Sequence, residues 1–480
     1  MNRKMVFYTV GYIVTAEAAL LLLPLLVALL YGESCALSFL ITIGISLAVG
    51  LGMVALCRKR DSLIYAREGF AIVALAWIVV SAIGALPFTI SGEIPNYVDA
   101  LFETVSGFTT TGASIVPDVE AMSHGILFWR SFTHWVGGMG VLVFVMAIIP
   151  SMSDRSIHIM RAEMPGPVVG KLVPRSRETA GILYRIYVVM TLILIVLLRV
   201  GGMNWFESVV HAFGTAGTGG FGVRADSIAG YSPYLQWVIT VFMILFGVNF
   251  NLYYLLLIRR FRSVLQSTEL WFYLGLVIVS AGLIAVNIYP IYGSASDAAR
   301  HGFFQVASIM STTGYATANF DLWPQFSRGL IFILLFVGAC AGSTCGGFKI
   351  SRVVILLKMI RKEVRFMIRP RSVNSVRMEG KTVDPVTLNS IGTYFAIYAL
   401  CMLVTFLLLS LEPFSLETNL TAAVTCFNNV GPGLAGVGPA SNFAAYSPYS
   451  KLLLSFAMLL GRLEIYPLLI AMHPGNWFRK

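Results

Sequence analysis

Two stretches of the sequence match without a gap: residues 102–112 read FETVSGFTTTG and residues 304–314 read FQVASIMSTTG. Both begin with phenylalanine, carry a serine in the middle and end in Thr-Thr-Gly. Two other stretches also place small and polar residues around glycine: FGTAGTGGFG at 213–222 and CFNNVGPG at 426–433. The central glycines of the four stretches follow one another at 95 to 117 residues: Gly112, Gly219, Gly314 and Gly431. This spacing indicates an internal fourfold repeat.

The composition places these repeats in a membrane protein. Of the 480 residues, 57% are hydrophobic and only 12% are charged, and the mean hydropathy is +0.79. A soluble globular protein is typically about 25% charged, and a disordered chain has far less apolar surface. The six cysteines form neither a disulfide framework nor a metal-binding spacing. In a membrane protein, the net charge of +11 reflects cytosolic loops more simply than a nucleic-acid partner.

Apolar runs long enough to cross a bilayer occur about ten times, since a span needs roughly 20 residues. They lie near residues 5–30, 36–57, 68–91, 125–150, 182–202, 234–258, 269–292, 328–365, 386–411 and 447–473. The run at 328–365 is interrupted by a stretch rich in Gly, Ser, Thr and Cys, from Gly338 to Gly347. The first run is too long for a signal peptide and no small-residue cleavage site follows it.

Basic residues predict the orientation of these spans. With the N-terminus in the cytosol, ten spans also place the C-terminus there, and 27 of the 34 basic residues then fall on the cytosolic side. Such a bias is the usual signature of topology. Twelve of the 23 acidic residues fall on the outer side, where only six basic residues lie. A net negative outer face would concentrate cations at an external mouth, although solvated loop charge is an equally simple explanation.

Each glycine-centred stretch follows an apolar segment of about 10–12 residues, which is too short to span a membrane. We therefore predict a re-entrant half-helix whose C-terminus, with its partial negative charge, points at the glycine loop. Non-helical backbone at membrane depth is tolerated where it is buried or lines a water-filled path. Four such loops around an axis could form a ring of carbonyl oxygens that replaces the hydration shell of a cation.

The predicted fold is therefore an all-α integral membrane protein. Four pseudo-symmetric units of span, half-helix, filter loop and span surround a pore, and a helical hairpin precedes them. The predicted boundaries are 1–62 for the hairpin, then 63–155, 156–262, 263–365 and 366–480 for repeats 1 to 4. Repeat 3 contains the broken inner span.

Other classes of protein fit these features less well. A phosphate-binding loop needs a strand before it and a lysine at its end, and the glycine stretches have neither. A single glycine stretch could also mark a close helix crossing. A sodium-coupled or proton-coupled secondary carrier remains the alternative function, with one pair of inverted repeats expected. A membrane transferase would need clustered His, Asp or Glu at one interface, and because none is present we expect no enzyme.

The motifs resemble those of the TrkH/TrkG/KtrB superfamily of potassium transporters. The matching residues are TTTG at 109–112, TGGF at 218–221, STTG at 311–314 with YAT at 315–317, and NNVGPG at 428–433. The resemblance covers about residues 65–475, and the additional hairpin is similar to the TrkH branch. It implies potassium uptake across the bacterial inner membrane by a homodimer, with a cytosolic nucleotide-binding regulatory subunit similar to TrkA.

The same resemblance implies the ion contacts. They would be backbone groups of Thr110, Thr111, Gly217, Thr218, Thr312, Thr313, Asn429 and Val430, with Gly112, Gly219, Gly314 and Gly431 as selectivity glycines. Potassium would be the transported ion, and no organic cofactor is implied. Each loop has one central glycine, whereas tetrameric potassium channels have Gly-Tyr-Gly, so fewer ordered ion sites are expected.

The interrupted span reads VGACAGSTCGGFK at 337–349 and resembles the intramembrane gating loop of the family. The predicted gating residues are Gly338, Gly342, Ser343, Thr344, Gly346, Gly347, Lys349 and Arg462. Glycines there disfavour a continuous helix, although a tight packing kink would need them too. Arg462 lies about 16 Å into the membrane at helical rise, where a charge faces a cavity or a buried acid. In the family, the matching arginine lines the pore and would act as a barrier to cations.

Basic residues are also dense between 361 and 385. They set the topology, and they could also dock a regulatory subunit or anionic membrane lipid.

Overall fold

The computed structural model describes residues 1–57, 66–140, 176–371 and 375–478. Within these residues the only strands form a short antiparallel pair, Arg377–Met378 with Lys381–Thr382. In the part of the chain that the structure describes, six helical segments are long and apolar enough to cross a membrane, or up to eight if each of two bent helix pairs is one span. The six are Arg3–Tyr31, Ala36–Leu56, Arg67–Ser91, Gly181–Val200, Thr268–Tyr292 and Pro385–Leu409. The predicted all-α membrane fold is confirmed.

The first two spans form the predicted N-terminal hairpin. Its first arm consists of the helices Arg3–Leu20 and Leu22–Tyr31, and its second arm is Ala36–Leu56. The arms approach closely at two glycines: a Cβ atom on Gly11 would lie 2.8 Å from the carbonyl oxygen of Gly50. Small residues at such a crossing permit the backbone contact on which helix association in membranes depends.

Glu33, in the turn between the two arms, binds the hairpin to repeat 1. Its carboxylate accepts hydrogen bonds from the backbone N–H of His124 (2.7 Å) and Gly125 (2.9 Å), which begin the helix His124–Gly138. A carboxylate is stabilised there by free N–H groups and the helix dipole. Burial raises the pKa of Glu33, but these hydrogen bonds lower it by more, so the pKa lies below its ordinary value of 4.5.

Each repeat contains a short helix that precedes a predicted filter loop. We call these Tyr97–Phe108, Trp205–Ala216, Ala295–Met310 and Leu416–Phe427 half-helices 1 to 4. Each has a side-chain N-cap, provided by Asn96, Asn204, Ser294 and Ser415, respectively. Each also has an acid in its first turn: Asp99, Glu207, Asp297 and Glu417. The caps and acids stabilise the positive N-terminal end, so the negative C-terminal end meets the loop.

A long span precedes each half-helix. These spans contain the helices Ala66–Gly84 with Leu86–Ser91, Ser176–Val200, Thr268–Tyr292 and Pro385–Leu409.

The helix that follows each loop is interrupted or ends near glycine. In repeat 2, Pro233–Phe246 and Phe250–Leu257 meet at 90°, and in repeat 4, Pro448–Arg462 and Tyr466–Met472 meet at 118°. In repeat 3, Gln325–Leu334 and Ile350–Ile368 are separated by the predicted gating loop. In repeat 1, His124–Gly138 ends at the edge of the described residues. The sequence predicted the break in repeat 3, but not the bends in repeats 2 and 4.

Short elements complete the described chain. They are the helices Phe261–Leu265 and Pro474–Phe478 and the 3₁₀ turns Phe320–Leu322 and Ala435–Val437.

Parts of the sequence predictions fall outside the described residues. These are the second half of the predicted span 125–150 and the repeat boundaries at 62/63 and 155/156. The predicted boundary at 365/366 falls inside the helix Ile350–Ile368, and that at 262/263 falls inside Phe261–Leu265.

Candidate functional site

The four half-helices end in loops of one shared backbone conformation. In each loop a residue with a side chain has φ between 54° and 56°: Thr110, Thr218, Thr312 and Asn429. Two residues later a glycine has φ between 78° and 95°: Gly112, Gly220, Gly314 and Gly431. The residue between them donates its N–H five residues back, at 2.8–2.9 Å: Thr111 to Ser106, Gly219 to Gly214, Thr313 to Ser308 and Val430 to Thr425. The four loops are therefore structural equivalents.

The equivalence corrects the predicted register of the second loop by one residue. Gly220, rather than Gly219, adopts the positive φ of the central glycines. Gly219 corresponds to Thr111, and Gly217 is the C-cap of half-helix 2, as Thr109 is of half-helix 1. Two adjacent glycines in the sequence do not determine which of them takes the left-handed conformation, because glycine adopts it at either position without steric cost.

The loops form a closed ring, which we call the loop ring (residues 109–112, 217–220, 311–314 and 428–431). The central glycine of each loop lies against a carbonyl oxygen of another loop, so that an added Cβ atom would collide with it. The contacts run from Gly112 to Gly219, from Gly220 to Thr313, from Gly314 to Val430, and from Gly431 to Thr111. Loop 1 thus contacts loop 2, and so on around to loop 1 again. A cyclic order of this kind encloses an axis.

An open depression lies against one side of the loop ring, and we call it the vestibule. Its volume is about 200 Å³, and all four central glycines line it. Arg130 and Arg224 also contribute to its wall. The four loops therefore converge on the vestibule as one common depression.

Hydroxyl and amide side chains support the ring from behind. The hydroxyls of Thr109 and Thr111 lie 2.8 Å apart, and Asn429 donates from Nδ2 to Thr111 Oγ1 at 2.9 Å. Nδ1 of His134 lies 2.7 Å from the carbonyl oxygen of Gly107, and its ring faces Gly219. His134 is therefore a packing residue that packs against the loop ring itself.

On the other side of the ring, the predicted gating loop folds back on itself. Gly338 donates its N–H to the carbonyl of Phe348 (2.9 Å), and Ile350 donates to Ala339 (3.2 Å). The loop is anchored to repeat 2, since Cys340 donates to Gly247 (3.1 Å). These bonds pair backbone N–H and C=O groups that would otherwise be paired within a helix. Non-helical backbone at membrane depth requires such partners.

The gating loop contacts the loop ring directly. The N–H of Gly346 donates to Thr312 Oγ1 at 2.8 Å, so the gating loop is bound to loop 3. A Cβ atom on Gly346 would lie 2.7 Å from Cβ of Asn429 and 2.9 Å from the carbonyl oxygen of Asn428. Glycine at position 346 thus allows the gating loop to pack against loops 3 and 4, beneath the enclosed axis.

Two basic side chains face this region. Arg462 donates to the carbonyls of Thr344 (2.8 Å), Gly137 (2.5 Å) and Gly138 (2.8 Å). Lys349 is buried and donates from Nζ to the carbonyls of Cys345 and Gly346. Arg462 is held by backbone oxygens of the gating loop and repeat 1.

A small space of about 40 Å³, which we call the gate cavity, separates these groups. It has room for only a few water molecules, since each needs at least roughly 10–15 Å³. Among the predicted gating residues, those that line it are Gly342, Ser343, Gly346, Gly347, Lys349 and Arg462. Gly338 packs behind Gly346 and Gly347, and Thr344 contributes the carbonyl that Arg462 binds. All eight predicted gating residues therefore belong to one region beneath the ring.

Comparison with known proteins agrees with this architecture. The family model TrkH, described as a cation transport protein, matches residues 36–478. The chain belongs to the TrkH family. It is 35% identical to the Trk system potassium uptake protein TrkH of Salmonella typhimurium (strain LT2), over 99% of this chain and all of that one. It is 33% identical to TrkG of Escherichia coli (strain K12), over 99% of this chain and 98% of the relative.

The fold is also similar to a solved member of the family. The crystal structure of the potassium transporter TrkH from Vibrio parahaemolyticus superposes with a TM-score of 0.88. The two chains are 30% identical, and the match covers 99% of this chain and 100% of the other. The predicted membership of this superfamily is confirmed.

A buried ion pair within repeat 1 also contacts repeat 2 of this TrkH-family chain, and the sequence does not reveal it. Arg130 and Glu103 are buried and lie 2.6 Å apart (Nε to Oε1). Glu103 also accepts from the N–H of Ile115 (2.9 Å), and Arg130 donates to the carbonyl of Gly222 (3.2 Å) and covers the ring of Phe221. The pair thereby connects the segments that leave loops 1 and 2. The sequence shows Glu103 and Arg130 only as two separate charges on the predicted outer side, so this connection is visible only in the fold.

Other charges predicted on the outer side are also paired. Lys451 binds Asp99 at 2.7 Å, and Arg328 binds Glu417 at 2.6 Å. These pairs neutralise two of the acids locally and leave the predicted net charge of this side unchanged, because the basic residues are already counted in it.

Proposed function

We propose that this protein takes up potassium through a channel-like pore along the axis of the loop ring. The observation that carries the proposal is the closed cyclic contact of four equivalent loops between the vestibule and the gate cavity. Rings of backbone carbonyls replace the hydration shell of a monovalent cation in potassium-selective pores. The names of the relatives, potassium uptake proteins, support the same ion.

In this proposal the backbone of the loop ring forms the selectivity filter. The carbonyls that follow the left-handed residues, those of Thr111, Gly219, Thr313 and Val430, are the strongest candidates, because each is held against a central glycine of another loop. The C-termini of four half-helices add partial negative charge beneath a cation in the ring. Potassium is the cargo, and no organic cofactor is required for this chemistry.

The gating loop would close the pore below the filter. Its contact with Thr312 and the narrow gate cavity support a closed conformation. The charges of Arg462 and Lys349 would oppose a cation at this point, since a fixed positive charge in a low-dielectric site repels strongly. Opening then requires the segment around Gly346 to move away from the axis.

We further propose the setting that the sequence predicts: the bacterial inner membrane, with both termini cytosolic and two copies of the chain forming a homodimer. The bias of basic residues supports this orientation. Residues 361–371 are all exposed at the end of the helix Ile350–Ile368 and beyond it. This basic surface suits a nucleotide-binding regulatory subunit similar to TrkA, or anionic lipid.

Ion flux from purified protein in liposomes tests the proposal. We expect uptake of potassium and rubidium driven by the ion gradient alone, with less uptake of sodium, and none in empty liposomes. A sodium-coupled or proton-coupled carrier would instead need the second ion gradient for any net potassium movement. Absence of potassium flux in every gradient would contradict both functions.

A further inference from the structure

Glu269 lies beside the gating loop but is not among its predicted residues. It is the second residue of the helix Thr268–Tyr292, whose N-cap is Ser267, and its exposed fraction is only 5%. Its Oε1 accepts a hydrogen bond from the N–H of Ala341 at 2.7 Å. A buried carboxylate therefore binds the backbone of the gating loop.

Ala341 belongs to the gating loop itself, between Gly338 and Gly347. Glu269 thus fixes the loop to the preceding span, at the start of the helix Thr268–Tyr292, and charge-assisted bonds of this kind are the strong ones.

We propose that Glu269 is a positioning residue that latches the gating loop in its closed conformation. It touches neither the loop ring nor the gate cavity, so it acts on conduction only through the loop. The inference rests on the proposed pore and gate. If the latch is removed, the loop loses the bond that ties Ala341 to the preceding span, while its bond to Thr312 and the contact with Arg462 remain.

Glu379 provides a matched control for the charge of Glu269. It lies in the turn between the two short strands and accepts from the hydroxyl of Ser267 at 3.4 Å. It contributes a carboxylate next to the same helix N-terminus without a bond to the gating loop among the described contacts. Glu379→Gln therefore removes a neighbouring charge and leaves the proposed latch intact.

The test measures both flux and the exposure of Cys345, which is buried in the gating loop with an exposed fraction of 1%. Rubidium flux into liposomes is compared for the wild type, Glu269→Gln, Glu269→Ala and Glu379→Gln. In parallel, each protein is treated with a water-soluble thiol reagent, and mass spectrometry identifies which of the six free cysteines is modified. Size-exclusion chromatography selects folded protein for both measurements.

We expect Glu269→Ala to raise flux about tenfold, since each tenfold corresponds to about 1.4 kcal/mol and a buried charge-assisted bond to the loop is lost. Glu269→Gln should raise it less, because its amide oxygen still accepts one N–H. Modification of Cys345 should increase in the same order, and the potassium-to-sodium ratio should not change, because the loop ring is untouched. Glu379→Gln should match the wild type in both measurements.

Two results would overturn the latch. One is unchanged flux with Cys345 still protected in both Glu269 variants. The other, when the wild type conducts, is a rise in Cys345 modification without a rise in flux, which would mean that the loop moves but is not the barrier. If the wild type and all variants fail to conduct while Cys345 becomes exposed in Glu269→Ala, the proposed pore is wrong, and the carboxylate still holds the loop. The two failures are therefore distinguishable.

Discussion

Replacement of Gly431 by serine tests the loop ring at a single contact. Gly431 has φ of 95°, a conformation that residues with a Cβ atom rarely adopt, and a Cβ atom added to it would lie 2.7 Å from the carbonyl oxygen of Thr111. A relaxed carbon–oxygen contact is about 3.3–3.6 Å. Thr111 O, or the backbone of loop 4, must therefore move by roughly 0.6 Å or more to reach that range.

The magnitude follows from the ring geometry. Thr111 O is one of four equivalent oxygens, and a fixed dipole in a low-dielectric site acts strongly on a cation. A loss of only about 1.4 kcal/mol in the preference for potassium lowers the selectivity ratio about tenfold. The backbone strain costs a further 1–3 kcal/mol or so, which lowers the stability of the protein without affecting the ratio.

The assay is the potassium-to-sodium flux ratio in liposomes, with Gly92→Ser as the matched control. Gly92 also has positive φ (81°), but nothing lies within 4 Å of the position that its Cβ atom would take. The control therefore adds a similar backbone strain far from the ring. We expect Gly431→Ser to lower the ratio about tenfold and Gly92→Ser to leave it unchanged. A ratio for Gly431→Ser that equals that of the control would refute a filter at this position.

Three further predictions follow from single contacts. Arg462→Ala should raise potassium flux, because it removes both the positive charge and the bond to Thr344. Arg462→Lys should keep potassium flux low, because it retains the charge. Equal flux in the wild type and Arg462→Ala would exclude the barrier role. Gly220→Ala and Gly314→Ala should lower the potassium-to-sodium flux ratio to a similar extent, since both glycines occupy the same ring position. A wild-type flux ratio in Gly220→Ala would reject the corrected register of the second loop. The lowered pKa of Glu33 stabilises the folded state above its ordinary pKa of 4.5, and this contribution is lost as pH falls below that value. The melting temperature of the wild type in detergent should therefore decline more steeply below that pH than the melting temperature of Glu33→Gln. Parallel melting curves for the two proteins would contradict this prediction.

The sequence predicted the repeats well because their signals are local. The short length of each half-helix, the glycine after it and the apolar runs on either side are all visible within about 40 residues of one another. The break in the inner span of repeat 3 was predicted for the same reason, because its glycines lie between Gly338 and Gly347. The position of Arg462 in an apolar run marks it as a candidate functional residue from the sequence alone.

The features that the sequence missed depend on contacts between distant parts of the chain. Asn429 and Thr111 are 318 residues apart in sequence and bond directly in the ring. Arg130 pairs with Glu103 and reaches into repeat 2, and no periodicity announces such a contact. Glu269 looks like an ordinary first-turn acid until the gating loop is seen to fold against it.

The register of the second loop shows a different limit. Gly219 and Gly220 are both able to adopt positive φ, so local reasoning cannot separate them. The structure shows the outcome: Gly220 takes the positive φ and lies against the carbonyl of Thr313, while Gly219 packs against the ring of His134.

The location of a bound ion is the most direct test of whether the loop ring binds the transported cation. Crystals of the protein grown in rubidium salts would show the ion by its anomalous scattering. We predict an anomalous peak on the axis of the loop ring, within coordination distance of the backbone oxygens of Thr111, Gly219, Thr313 and Val430. Anomalous peaks confined to other parts of the protein, with none on that axis, would contradict it.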